Sequence, residues 1–307
     1  MKILVTGSSG YIGAITAALL KQAGYQPVNY DIKNGQDISD TKKLEEVIKQ
    51  NQVEAVMHFA AYIEMGESMV KPEKYFNNNF LGTQKLVHTL VHTRVKYVIF
   101  SSTAGVYGNP EKIPIKEDDR KLPENPYGQS KLMAEQLLEF YSRTYGLKSI
   151  SLRYFNAAGA SDQLGEKHNP ESHLIPNVIR AIISNREFTL FGNDYPTKDG
   201  TCIRDYIHVL DLAEAHISSL KALVSGHKSD VYNVGTGKGY SNLEVIKMVE
   251  KISGKKLKIK ISPRRPGDAN ELIADATKIR QDLGWQPHYS DLKTIITTAW
   301  NWHKSHK

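Results

Sequence analysis

Tyr127 and Lys131, in the run Tyr127-Gly128-Gln129-Ser130-Lys131, form the sequence's clearest candidate for acid–base chemistry. A separation of four places both side chains on one face of a helix, and the pattern carries that helix to about Tyr145. An ammonium group beside a phenol favours the phenolate and lowers a pKa that is ordinarily about 10, so Tyr127 can act as a general base near neutral pH. Ser101-Ser102-Thr103 ends a strand-like run, and there a Thr103 hydroxyl would orient a substrate hydroxyl. A Tyr-x-x-x-Lys pair is common by chance, and this one gains weight from a second pattern upstream.

That pattern is Gly7-Ser8-Ser9-Gly10-Tyr11-Ile12-Gly13, directly after a first strand and opening a first helix. The glycines permit a tight turn and close backbone approach to a pyrophosphate, while the free amides of the helix start face the phosphates. The spacing G-x-x-G-x-x-G is that of short-chain dehydrogenase/reductases. Asp31 ends the second strand 18 residues after Gly13. A carboxylate there accepts hydrogen bonds from the adenosine ribose and repels a 2′-phosphate, so NAD is expected rather than NADP.

These residues require strands and helices in alternation to position them. The sequence predicts strands at Lys2–Thr6, Gln26–Tyr30, Ala55–Phe59, Tyr97–Ser101 and Ser149–Tyr154, and helices at Ala14–Ala23, Asp40–Gln50 and Pro72–Thr93. Parallel strands joined by crossover helices make an α/β fold, a Rossmann-type doubly wound parallel sheet. Beyond about Gly159 the alternation fades, with helices expected at Ile175–Ser184, Val209–Val224, Asn242–Ile252 and Leu292–His303. Residues 1–160 are therefore expected to form the NAD-binding domain. A smaller C-terminal α/β substrate domain is expected over 161–307, with some segments returning to the first.

Composition narrows the function classes. The 307 residues are 40% hydrophobic and 24% charged, a globular balance. Mean hydropathy is −0.43 and no apolar run approaches a bilayer's width, so no membrane association is expected. The strand beginning at Lys2 leaves no room for a secretory leader, and the single cysteine, Cys202, permits no internal disulfide, so a cytoplasmic location is expected. The net charge of +7 is spread over scattered lysines, and with no recognition module visible, no nucleic-acid partner is expected. His88 and His92 are four apart, but Thr89 stands where a zinc-protease helix carries glutamate; no metal site is expected. Cys202 reads as a packing residue. Trp300 and Trp302 read as anchors of the last helix, and His303–Lys307 as a fraying basic end.

The chain resembles the UDP-glucose 4-epimerase family of extended short-chain dehydrogenase/reductases over nearly its whole length. The specific stretches are Phe191 through Val209 (FGNDYPTKDGTCIRDYIHV), Leu152-Arg153-Tyr154-Phe155-Asn156 and Arg264-Arg265-Pro266-Gly267-Asp268. The resemblance implies reversible C4 epimerisation of UDP-hexoses through a 4-keto intermediate with tightly bound NAD, and a homodimer packed through the helices near Pro72–Thr93 and Leu132–Tyr145. It implies that Arg204 and Arg265 hold the UDP diphosphate, a role suited to arginine's fork of donors. Asn156, His173, Leu174, Tyr206 and Asp268 would complete that pocket, and Thr189, Leu190 and Phe191 would flank the uracil. On the cofactor side it implies Gly7, Gly10, Tyr11, Ile12, Gly13 and Asp31, with Asp37 and Ile38 at the adenine. Phe59, Ala60, Ala61 and Ile63 would line the dinucleotide, with Asn78, Ser101, Tyr127, Lys131 and Tyr154 towards its nicotinamide end.

Two departures from the family pattern stand out. Only five residues separate Asp31 from Asp37, where longer members carry an insertion. Leu272 stands where a bulky tyrosine restricts room at the sugar's C2 substituent and a small residue admits an N-acetyl group, so UDP-N-acetylglucosamine is an alternative substrate. A 4,6-dehydratase would follow Thr103 with an Asp-Glu pair, whereas this chain has Ala104-Gly105. A non-catalytic dinucleotide-sensing protein would keep the glycine loop and lose the Tyr–Lys pair, which this chain retains.

Overall fold

Residues 1–265 and 268–306 are described in a computed structural model of the chain. Its first half alternates short apolar strands with amphipathic helices: β1 (Lys2–Thr6), α1 (Tyr11–Gln22), β2 (Gln26–Tyr30), α2 (Thr41–Asn51) and β3 (Ala55–His58). There follow α3 (Met65–Val70), α4 (Pro72–Tyr75), α5 (Thr83–His92), β4 (Tyr97–Thr103), α6 (Pro126–Tyr145) and β5 (Lys148–Tyr154). The second half supplies β6 (Asn156–Ala158), α7 (Leu174–Ser184), β7 (Glu187–Phe191), β8 (Ile203–His208), α8 (Val209–Val224) and β9 (Asp230–Val234). It ends with β10 (Gly239–Ser241), α9 (Asn242–Ser253), β11 (Lys258–Ser262), β12 (Glu271–Leu272), α10 (Thr277–Leu283) and α11 (Leu292–Ser305).

Six strands form one parallel sheet in the order β2-β1-β3-β4-β5-β9. Strands β1, β3 and β4 are buried on both faces, as helices on both sides of a parallel sheet require. The chain leaves β1 for β2 on one side and then crosses to β3 on the other. That reversal opens a crevice at the carboxyl ends of β1 and β3, the place where doubly wound sheets bind ligands. One apolar layer packs α2, α5 and α6 on the sheet through Leu44, Leu86, Leu90 and Leu138, and the other packs α1 and α8 through Leu20, Leu212 and Leu220. Residues 209–234 thus return to the first sheet. The remaining second-half elements build their own core, with α7, α9 and α11 meeting through Ile179, Val245 and Ile296. Strand β8 carries β10 and β12 on its two sides and also pairs β6.

Two local expectations are corrected. The helix expected over Pro72–Thr93 is interrupted by π turns at Phe76–Gly82. This widening lets Asn79 turn inward, where its Nδ2 donates to the Tyr62 carbonyl and to Ser130 Oγ on α6. A Cβ on Gly82 would come within 2.9 Å of Ile38 Cδ1, so glycine allows the close approach to the core there. The expected fraying end is instead helical through Ser305, with Trp302 and His303 buried. Lys307, like Pro266 and Gly267 of the arginine motif, lies outside the described residues. No helix among the described residues is long and apolar enough to cross a membrane.

Candidate active site

The glycine loop is shaped by backbone contact. Gly7 has φ +71°, and a Cβ there would meet the Ala60 nitrogen at 2.7 Å; on Gly13 it would stand 2.3 Å from the Gly7 carbonyl oxygen. Only a chain without side chains at both positions lets β1, the exit of β3 and the start of α1 converge. Helix α1 begins at Gly10 with no side-chain cap and no acid in its first turn. The amides and dipole of that first turn thus face no acid of their own helix and suit a pyrophosphate. Asp31 is buried at the end of β2, where one oxygen accepts from the Ser9 amide at 2.8 Å and the other from the Lys33 amide at 2.9 Å. The carboxylate therefore ties the glycine loop to β2 beside the expected ribose position.

The short Asp31–Asp37 connection is a closed structure in its own right. Asp31 caps a 3-10 turn at Ile32–Asn34, and Gly35 ends it at φ +69°. Tyr30 donates its hydroxyl to the Asp37 carbonyl, leaving Asp37 exposed and Ile38 packed in the core. The uncapped helix start, the crowded glycine cradle and the carboxylate at the end of β2 together fit NAD.

Helix α6 begins with Asn125, whose Oδ1 accepts from the Gly128 amide, followed by Pro126. A Cβ on Gly128 would lie 2.6 Å from the Gly105 carbonyl oxygen, so glycine lets the first turn of α6 press onto the loop after β4. This places Tyr127 beside Thr103 in the cleft. Burial raises the Tyr127 pKa, with the Thr103 hydroxyl opposing. The expected lowering by Lys131 is not seen at Tyr127. Lys131 Nζ instead donates to the Ser101 carbonyl at 2.7 Å, and burial pulls the lysine down to about 7.

Behind this pair, neutral hydrogen bonds hold the sheet to the π turns. Thr83 donates to the Asn79 carbonyl at 2.7 Å, so its oxygen accepts from His58 Nε2 at 2.8 Å, and His58 Nδ1 accepts from Thr6 at 2.7 Å. Burial and the nearby Lys131 charge hold His58 down to about 3, consistent with a neutral ring. Tyr154 is oriented in a similar way. His216 Nδ1 donates to the Leu212 carbonyl, leaving Nε2 to accept from the Tyr154 hydroxyl.

The other wall comes from the second half. Arg204 on β8 is braced by donation of Nη1 to the Ile203 and Ala269 carbonyls, with Nη2 3.7 Å from Asp268. Leu272 on β12 lies in register with Arg204, and Asn156 on β6 pairs Tyr206 further along β8. His173 stands at the N-cap position of α7, immediately before Leu174, without a side-chain capping bond. Thr189 and Phe191 are half-buried on one face of β7, while Leu190 and Tyr206 are buried in the second core. The Arg265 guanidinium lies 4.2 Å from the Phe191 ring centroid.

These residues surround a cleft of about 400 Å³, within the range of small-molecule sites. Gly7, Gly10, Tyr11, Ile12, Gly13, Phe59, Ala61, Ile63, Ser101, Thr103, Tyr127, Lys131 and Tyr154 line it. So do Asn156, His173, Arg204, Asp268 and Leu272. Asp31, Asp37, Ile38, Ala60, Asn78, Leu174, Thr189, Leu190, Phe191, Tyr206 and Arg265 are not among its lining residues. Asn78 donates to Asn79 at 2.9 Å. A larger hollow of about 800 Å³ lies between α6, β9 and α10. Its charges neutralise one another, Arg153 with Glu135 at 2.7 Å and Lys278 with Asp230 at 2.5 Å, and none of the expected site residues lines it. Glu166 and His168 also line the active cleft and were not singled out from the sequence. The alternation Glu166-x-His168-x-x-Glu171-x-His173 was the available signal.

The NAD dependent epimerase/dehydratase family matches residues 3–235. A UDP-glucose 4-epimerase of Lactobacillus helveticus is 44% identical, covering 100% of this chain and 98% of the relative. The crystal structure of a Brucella ovis UDP-glucose 4-epimerase in complex with NAD superposes with a TM-score of 0.95 at 42% identity, covering 98% of each chain. The UDP-Glc/GlcNAc 4-epimerase of Campylobacter jejuni matches with a TM-score of 0.85 at 39% identity over 99% of each chain. With the glycine cradle, the Tyr127–Thr103 pair and the arginine wall in one cleft, the chain belongs to the NAD-dependent epimerase/dehydratase family, among the UDP-glucose 4-epimerases.

Proposed function

We propose that the protein interconverts UDP-galactose and UDP-glucose by inverting C4 through a 4-keto sugar, with Tyr127, Thr103 and Lys131 as its catalytic residues. The observation that carries this reading is the convergence of Tyr127, Thr103 and Lys131 at the carboxyl edge of β4, in the same cleft as the glycine cradle and Arg204. When bound, NAD supplies reversible redox chemistry at C4. Tyr127 takes the proton of the C4 hydroxyl and returns it, while Thr103 shares the hydrogen bond and fixes the phenol's direction. Because burial opposes the phenolate, its formation calls for a cation nearby, a role this reading assigns to Lys131 one helical turn away. Arg204, with Arg265, holds the diphosphate, so the sugar can present either face while its anchor stays fixed.

Residues 1–160 serve NAD binding and 161–307 mainly the nucleotide sugar, with the returning segments completing the first sheet. The homodimer expected through the helices near Pro72–Thr93 and Leu132–Tyr145 is supported by the exposed apolar side chains of Leu81, Phe140 and Tyr145. A single buried cysteine suits the cytoplasm. Leu272 at the cleft wall favours a second activity on UDP-N-acetylhexoses, as in the name of the Campylobacter relative.

The test is proton NMR of the sugar products formed from UDP-galactose, with Tyr127→Phe in parallel. The wild type should yield UDP-glucose. The variant should keep NAD and UDP binding and lose turnover by about 10³-fold or more. Near-normal turnover in the variant removes Tyr127 from the mechanism.

A further inference from the structure

Between β6 and α7 the chain places Glu166, His168, Glu171 and His173 together, and one ligand atom from each lies within 4.8 Å of the other three. His168 Nδ1 is 3.1 Å from Glu166 Oε1 and 4.0 Å from Glu171 Oε1, and His173 Nδ1 is 2.7 Å and 3.2 Å from the same two oxygens. Donors bound at about 2.0–2.2 Å to a tetrahedral Zn²⁺ stand roughly 3.3 Å apart, and these spacings bracket that value. The carboxylates are withdrawn from water, their side chains 6% and 2% exposed. Glu171 Oε2 is buried and makes no hydrogen bond, with Arg180 Nη2 3.5 Å away. Arg180 thus faces Oε2, and it is Oε1 of each carboxylate, paired here with the imidazoles, that a cation would take.

We propose that Glu166, His168, Glu171 and His173 form a binding site for a tetrahedral divalent cation of the zinc class. The two imidazoles disfavour Mg²⁺ and Ca²⁺, which prefer all-oxygen shells, and two nitrogens with two oxygens suit Zn²⁺ or Co²⁺. The exposed pair His88 and His92, with ring centroids 4.3 Å apart, is not part of the converging cluster. In the proposed site the His173 ring directs Nδ1 to the carboxylates, leaving Nε2 for the sugar nucleotide. The ion would clamp the segment leading into α7. Because the His168 ring stands edge-on to Tyr11 at 6.3 Å, it would also fix the wall facing the glycine loop.

The experiment uses the full chain, stripped with a chelator and titrated with Zn²⁺ by calorimetry, with bound metal measured by mass spectrometry after gel filtration. One zinc per chain is expected, and Co²⁺ should give the intense visible bands of tetrahedral coordination. Glu171→Gln and His168→Asn should each weaken binding by about 100-fold or more, whereas His88→Ala should leave it unchanged. Circular dichroism verifies folding of each variant, and if one unfolds, the Co²⁺ spectrum of the wild type decides. No stoichiometric zinc, six-coordinate cobalt bands, or loss of binding in His88→Ala instead of the cluster variants overturns the proposal and leaves the cluster as an ion-pair network. None of these readouts depends on epimerase activity.

Discussion

The two walls of the cleft are built on different principles. The cofactor wall is local: seven consecutive residues from Gly7 to Gly13 make a strand end, a turn and a helix start, and a carboxylate one strand away locks them. The nucleotide-sugar wall is assembled by register, with Asn156 and Leu272 brought to Tyr206 and Arg204 through strand pairing along β8. A local motif fails when its own backbone geometry is disturbed. A wall set by register depends on which side chain each strand presents, so single side chains there act with less influence on the other wall.

Gly13→Val should expose that difference most strongly. Its Cβ would stand 2.3 Å from the Gly7 carbonyl oxygen and 3.0 Å from the Gly7 carbon, and backbone atoms cannot swing aside as a side-chain end can. Forced displacement of this kind costs about 1–3 kcal/mol, so NAD affinity should fall about 10- to 100-fold or more, read by NAD content after gel filtration. UDP binding, measured by calorimetry, should change little. Equal loss of both ligands would show that the two walls respond as one unit.

Arg204→Ala is the complementary break. It removes charge-assisted bonds worth about 1.5–3 kcal/mol, so KM for UDP-galactose should rise about 10- to 100-fold while the NAD content stays at the wild-type level. A fall in kcat at unchanged KM would mean that Arg204 acts on the reacting sugar rather than on its anchor.

The same contrast governs what the sequence reveals. The glycine loop, Asp31 and the Tyr127–Lys131 pair were legible because each is a short pattern inside one strand-turn-helix or one helix. The wall around β8 was reached only through resemblance, since the two residues of β12 carry no periodicity. The return of α8 and β9 to the first sheet was visible only as an allowance for some segment to return, because no connection length near Gly159 announces it. The π turns were hidden because Asn79 and Thr83 sit in a run whose apolar spacing reads as an ordinary helix. The direction of the Lys131 side chain was beyond the sequence too. A four-residue spacing places two side chains on one face, but the choice between the Tyr127 phenol and the Ser101 carbonyl depends on where β4 ends.

Leu272 tests how finely the register-built wall selects. Leu272→Ala removes apolar bulk beside Arg204 in the cleft. A single methylene in such a wall is worth about 1–3 kcal/mol and this change removes three carbons, so the kcat/KM ratio for UDP-N-acetylgalactosamine over UDP-galactose should rise about tenfold or more. An unchanged ratio would place the C2 substituent elsewhere in the cleft.

The smallest expected effect concerns stability, and it returns to the cofactor wall. Burial pulls Lys131 down to about 7, below its unfolded value, so between about pH 7 and pH 10 the unfolded chain holds a proton that the folded chain has released. In that window the lysine's contribution to folding improves as pH rises, and its cost is greatest at and below about pH 7. Lys131→Met keeps the length and removes the charge, at the loss of the bond to the Ser101 carbonyl. The cofactor-free variant should therefore melt a few degrees above the wild type at pH 7, with the gap closing or reversing towards pH 10, about 2–4 °C per kcal/mol at most in a chain of this size. A gap that does not change with pH would assign the effect to packing alone and would mean that the wild-type lysine stays charged beside Tyr127 before any cofactor arrives.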